Sequence, residues 1–288
     1  MLFQLNVLRH QQYALSEFFL FSYHFVDILT PPFVHSSYCL SARERNLHVI
    51  CQKPIAGHIE EARSLVRNFK NYERLFAIHE NHRYRPWFKV VQQKLQEGFF
   101  GRPHFVRFEQ LNPSEPGVAY KLEMDPGVLL EHGTHLVDMA HALFGKPLRT
   151  YSRFHHINLN ITGESLAHVL YEYPETTVVI NVSWKPGGVR QASFLLSGES
   201  GEAYYEGSMV RGESSRFRLV RGKEVVLDET REPNQDYADS FYLFQRECTD
   251  AMLAGLTNVT QSAEKNLLSL ESTFKSYKAG WRGQIVDI

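Results

Sequence analysis

The sequence predicts two parts: a parallel α/β half to about residue 102, then an α+β half on a large, mainly antiparallel open sheet. Three observations predict it. Short apolar runs alternate with helical stretches from Val26 to Gly101. Strands with period-two patterning and short connections then fill Phe105 to Leu227. Two amphipathic helices close the chain.

Val26–Leu29 and Leu47–Cys51 are apolar runs that stop at polar or proline residues, as strands covered on both faces do. Ser36–Arg45 between them suffices for one crossover helix, so Val26–Ala56 reads as a βαβ unit. Its chemistry belongs where the strands end, at Thr30-Pro31-Pro32 and at Gln52-Lys53-Pro54. His58–Asn71 carries Ile59, Ala62, Leu65, Val66 and Phe69 on one helical stripe. Leu75–Ile78 is a third strand, followed by His79-Glu80-Asn81-His82-Arg83, and Pro86 opens the next helix. Before all of these, Tyr13–Phe19 is expected as a short helix.

In the second half, Phe105–Leu111 alternates, and the loop Asn112–Gly127 is rich in turn residues. A helix follows to Phe144, stopped by Gly145 and Pro147. Strands are expected at Thr150–Leu159, Leu166–Tyr173, Thr176–Trp184, Ala192–Ser197, Ala203–Glu206 and Phe217–Leu227. Gly222-Lys223 makes the last a hairpin. The closing helices are marked by Phe241–Met252 and Ala263–Tyr277, with Gly255 and Gly280 as their stops.

Composition bounds the function. A chain of 288 residues, 43% hydrophobic and 22% charged, has enough apolar surface for a substantial core. A net charge of -1 offers no basic field for nucleic acid or an anionic membrane. The apolar stretch Phe18–Leu29 is too short to span a bilayer and is broken by His24 and Asp27. Cys39, Cys51 and Cys248 form no CxxC pair, so a reducing, cytoplasmic setting is expected.

Two constellations carry chemistry. Lys53 stands at a strand end, where it is either a solvated charge or a catalytic group. On the helix to Phe144, Glu131, His135 and Asp138 are spaced four and three, sharing one face. That face suits proton transfer, since imidazole titrates near neutrality and a carboxylate one turn away can orient it. A solvated Glu–His pair is the plain alternative. His132 adds a nitrogen beside Glu131, but no spaced third histidine accompanies it, so no metal site is expected. No G-x-S-x-G elbow and no P-loop occurs.

Together, VDILTPPFVH, HVICQKPIA, Asn81-His82-Arg83-Tyr84, PGVLLEHGTHLVDMAHALFG, SGESGEAYYEG and SYKAGWRG resemble the Gfo/Idh/MocA oxidoreductases, in order and spacing, from about residue 26 to 288. The resemblance implies a Rossmann-type nicotinamide-binding domain over residues 1–102 and a substrate and oligomerisation domain over 103–288, with the last helix packing back on the first domain. It implies hydride transfer to or from a sugar, polyol or related hydroxy compound, with NAD or NADP as cofactor. Carried over residue by residue, Lys53 and His135 assist proton transfer and Glu131 joins them. Thr30, Pro31, Pro32, His35, Gln52, Lys53 and Pro54 lie along the cofactor. Asn81, Arg83, Glu131 and Asp138 face the substrate. A homo-oligomer formed through the antiparallel sheet is also implied. The chain departs from the pattern in three places. Gln52 stands where the motif has glutamate, and Glu131 where the helix usually has aspartate. Residues 1–25 hold no glycine, so the G-x-G-x-x-G part of the Rossmann domain is missing and a weaker hold on the cofactor phosphates is expected. A cofactor-free binding or scaffold protein derived from the family is the competing expectation.

Overall fold

The structure, a computed structural model, describes residues 24–113, 119–185, 187, 190–207 and 214–288. The helix expected at Tyr13–Phe19 lies outside these residues, as does part of the Asn112–Gly127 loop. The chain divides into two compact units. One holds the described residues up to Glu80 with Phe244–Leu268; the other holds Asn81–Leu243 with Ser269–Ile288.

In the first unit, β1 (Phe25–Ile28), β2 (His48–Gln52) and β3 (Phe76–His79) form a three-stranded parallel sheet in that order. The crossovers are α1 (His35–Glu44), entered through a 3-10 turn at Pro32–Val34, and α2 (Ile59–Asn68). Val49, Ile50 and Cys51 are fully buried, which is why this strand reads as a continuous apolar run rather than an alternating one. Asn46 ends the connection from α1 with φ 57°, a conformation asparagine tolerates.

The second unit begins with a 3-10 turn, Asn81–Tyr84, and α3 (Pro86–Gln96). Its sheet has nine strands: β4 (Pro103–Asn112), β5 (Arg149–His155), β6 (Leu166–Glu172), β7 (Thr177–Trp184), β8 (Gln191–Gly198), β9 (Gly201–Gly207), β10 (Ser215–Arg221), β11 (Glu224–Arg231) and β12 (Val286–Asp287). Their order is β11-β10-β9-β8-β4-β7-β6-β5-β12. Among the described residues of this sheet, only β4 with β7 runs parallel. One face is continuous across the register: Ser152, Val169, Ile180, Phe108, Phe194, Tyr205 and Phe217 are paired in turn, and all are buried. Trp87 of α3 packs on it, stacked 4.4 Å from the Tyr205 ring.

Helix α4 (Thr134–Phe144) follows a π-helical turn, Leu129–Gly133. The helix expected from Gly127 is therefore interrupted by a wider first turn. Nor does it keep a solvated face: every residue from Thr134 to Ala140 is buried. The chain ends with α5 (Gln235–Leu253) and α6 (Ala263–Arg282). Gly280 does not stop α6, which runs on to Arg282 and is followed by Gly283 at φ 62°. Gly280 serves packing instead, for a Cβ there would lie 2.2 Å from the Phe154 ring.

Candidate active site

The first unit contributes the corner where β1 and β2 end. His35, fully buried at the start of α1, places Nε2 2.9 Å from the Thr30 carbonyl and Nδ1 3.0 Å from the Pro54 carbonyl. Its ring thus ties the Thr30-Pro31-Pro32 turn to the Gln52-Lys53-Pro54 turn, and burial holds its pKa below the ordinary histidine value. The Lys53–Pro54 peptide is cis. Gln52 donates from Nε2 to His79 Nδ1 at 2.9 Å. Burial pushes His79 down to about 4, so its ring is a neutral acceptor at physiological pH, stacked on Phe244 at 4.3 Å. An uncharged Gln52 suits that contact, because its amide can donate where a glutamate could not. The Thr30 hydroxyl is buried without a hydrogen-bond partner among the described residues. An orphaned hydroxyl at the carboxyl end of a parallel strand is chemically matched to a ligand rich in hydroxyl, amide and phosphate groups. This donor set is compatible with the dinucleotide that the family resemblance implies.

The second unit contributes the segment from Lys121 to Asp138 and the turn Asn81–Tyr84. Arg83 binds Asp138 at two points, Nε to Oδ2 at 2.5 Å and Nη2 to Oδ1 at 2.7 Å. Ser269 of α6 adds a third donor to Asp138 at 2.9 Å. Asp138 is 0% exposed, so its charge is spent inside this network. Glu131 is buried and ion-paired with Lys121. His135 stacks on His82, with ring centres 3.8 Å apart. Asn81 donates to Ser240 at 2.7 Å. His132 turns away toward the sheet, where Gln110 meets its Nδ1 at 3.0 Å and Trp184 its ring edge.

Of the residues singled out in the sequence, the fold brings Arg83 to Asp138, and His35 to Thr30 and Pro54. Glu131 and Asp138 meet different cations, Lys121 and Arg83, on either side of His135. Lys53 belongs to the first unit and His135 to the second. Lys121, His82 and Ser269 carry no site role in the sequence reading. His82 alone left a signal, lying inside the Asn81-His82-Arg83-Tyr84 segment.

Comparison with known proteins agrees with this layout. A family model described as the oxidoreductase family, NAD-binding Rossmann fold, matches residues 13–80, and the GFO/IDH/MocA C-terminal domain matches residues 88–204. D-apiose dehydrogenase of Rhizobium rhizogenes (strain K84) is 24% identical over 285 residues, 92% of this chain and 79% of that protein. The D-apiose dehydrogenase of Paraburkholderia graminis is 29% identical over 170 residues, 58% of this chain and 45% of its own length. Among solved structures, an oxidoreductase from Agrobacterium radiobacter in complex with NAD+, L-tartaric acid and magnesium superposes with a TM-score of 0.83 at 22% identity, covering 95% of this chain and 82% of the other. Levoglucosan dehydrogenase with NADH and levoglucosan gives 0.79 at 17% identity, covering 92% and 80%. With both halves matched in order, and with the parallel unit and nine-stranded sheet arranged accordingly, the chain belongs to the Gfo/Idh/MocA family of NAD-binding oxidoreductases.

Proposed function

We propose that this protein transfers hydride between NAD(H) or NADP(H) and a sugar, polyol or related hydroxy compound. The observation that carries the proposal is the setting of His135, on a buried segment flanked by two ion-paired carboxylates, Glu131 and Asp138. A bound nicotinamide supplies the hydride acceptor or donor. The chain's own residues handle the proton and hold the substrate. Lys53 and His135 exchange the hydroxyl proton; Glu131, tethered by Lys121, completes the catalytic group. Thr30, Pro31, Pro32, His35, Gln52 and Pro54 line the cofactor turns, His35 from within. Asn81 and Arg83 face the substrate, with Asp138 fixing the Arg83 guanidinium. Sugar-dehydrogenase relatives support the substrate class. The proposed functional division is residues 1–102 for cofactor and 103–288 for substrate and self-association, while the compact units themselves divide at Glu80 and return Phe244–Leu268 to the first. No helix among the described residues is long and apolar enough to cross a membrane. The three buried free thiols suit the cytoplasm as the working location.

A second reading, a cofactor-free binding or scaffold protein, is favoured by Gln52, an uncharged amide where the family motif carries glutamate. Titrating the protein with NADH and NADPH while following nicotinamide fluorescence separates the two. Saturable binding, followed by turnover on a panel of sugars and polyols, supports the dehydrogenase. In that assay Lys53→Ala and His135→Ala are each expected to lower kcat by about 10²- to 10⁴-fold, the usual share of a positioned acid or base. Wild-type rates in either variant would remove the assignment.

A further inference from the structure

The segment bearing Glu131 and His135 starts without a local cap. In an ordinary helix the first amides are satisfied by water or by a capping side chain just before them. Here four successive amides are taken by two residues far away in the chain. Gly127 N–H donates to Glu164 Oε2 at 2.8 Å and Leu129 N–H to Glu164 Oε1 at 2.8 Å. Val128 N–H donates to the Glu164 carbonyl at 2.9 Å. Leu130 N–H donates to the Tyr277 hydroxyl at 2.8 Å, and that hydroxyl donates in turn to Glu164 Oε1 at 2.7 Å.

The approach is as close as the backbone permits. A Cβ on Gly127 would stand 2.3 Å from the Glu164 carbonyl oxygen, and one on Gly163 would stand 2.5 Å from the Gly127 nitrogen. Glycine at both positions is required for the two backbone segments of this contact to touch. Glu164 is 5% exposed and Tyr277 0%. Burial raises the Glu164 pKa, while the tyrosine and the amides oppose that rise. A carboxylate against the open end of a helical segment also faces the favourable pole of its dipole.

We infer that Glu164 and Tyr277 are positioning residues for the reaction: together they hold residues 127–130, and thereby set where Glu131 and His135 present their side chains. This rests on the dehydrogenase reading above. A π-turn has no rigid register of its own, so a fixed start is what gives the next residues a fixed place.

The test uses the full chain carrying Glu164→Gln or Tyr277→Phe, with hydrogen exchange of the amides and steady-state kinetics read together. Glu164→Gln keeps the shape but turns one acceptor into a donor facing a backbone N–H. Tyr277→Phe removes a single hydroxyl and serves as the second probe if the glutamine variant fails to fold. The expected result has three parts. Exchange at residues 127–131 rises by about tenfold or more in either variant while that of β1 to β3 stays unchanged. The kcat falls by about tenfold to a hundredfold, the scale of a small misplacement, with KM for the dinucleotide within about twofold. The pH profile of kcat also shifts, because the groups that titrate have moved.

Two results overturn the inference alone: unchanged exchange at 127–131, or raised exchange with wild-type kcat and pH profile, each while His135→Ala abolishes turnover. Wild-type turnover in His135→Ala overturns the dehydrogenase reading and this inference with it.

Discussion

Asp27, in the middle of β1, carries a burial cost that the fold only partly offsets. Desolvation raises its pKa to about 6, while the Gln245 amide, donating to Oδ2 at 3.0 Å, pulls it the other way. Its Oδ1 is buried and without a hydrogen-bond partner among the described residues. The folded state therefore holds a proton that the unfolded chain releases near 3.8, the ordinary aspartate value. Asp27 contributes its full share of stability below that value and loses it as pH rises through about 6. Asp27→Asn, which keeps the acceptor for Gln245 and never ionises, is expected to stabilise the protein at pH 8 by about 2 kcal/mol. Near pH 4 the gain should shrink to almost nothing. Urea unfolding at the two pH values checks this, and an equal gain at both would show that ionisation is not the cause. The same reasoning separates legible from hidden residues. Lys53 and His135 can be proposed from the sequence because each sits in a local motif. Glu164 cannot, since its partners Gly127 and Tyr277 lie 37 and 113 positions away and only the folded chain unites them.

Elements were read from periodicity, and periodicity sees a face but not what lies against it. β2 and β3 emerged because burial on both sides leaves an unbroken apolar run, whereas β1 alternates in burial around Asp27. The sheet strands emerged because one buried face imposes a period of two. The segment before α4 hid its π-turn, because a widened turn has no composition of its own. Gly280 misled for a related reason: glycine marks either a positive φ or a close approach, and here the approach decides. Its missing Cβ leaves room for the Phe154 ring, which also packs 5.1 Å from Tyr277. Gly280→Ala would gain up to about 1 kcal/mol of helix propensity. It would also force a methyl group into that ring, at an overpacking cost of about 1–3 kcal/mol. A net loss of about 1 kcal/mol is expected in chemical denaturation. A gain would mean that the Phe154 side chain swings aside freely.

For the whole molecule, the open face of the nine-stranded sheet is the surface that calls for a partner. Opposite the buried face, the register sets Tyr151, Leu170, Val179, Arg107, Leu195, Tyr204 and Arg218 in one row across seven strands. Leu170 is 38% exposed, and Tyr151, Val179, Leu195 and Tyr204 are half-buried. The next row is polar and internally bonded: His168 to Asn181, Asn181 to Glu109 at 3.0 Å, and Ser193 to Glu109 at 2.9 Å. A row of five apolar or aromatic side chains and two arginines beside a bonded polar row suits a sheet face that packs against another surface. We propose that two copies meet through this face, in accord with the self-association that the family resemblance implies. Leu170→Asp and Val179→Asp place a charge on the apolar row without entering the buried face or any residue assigned to the site. Sedimentation velocity should show the wild type as an oligomer and either variant shifted to monomer, with circular dichroism unchanged. A monomeric wild type, or variants that sediment as it does, would assign the apolar row to some other use.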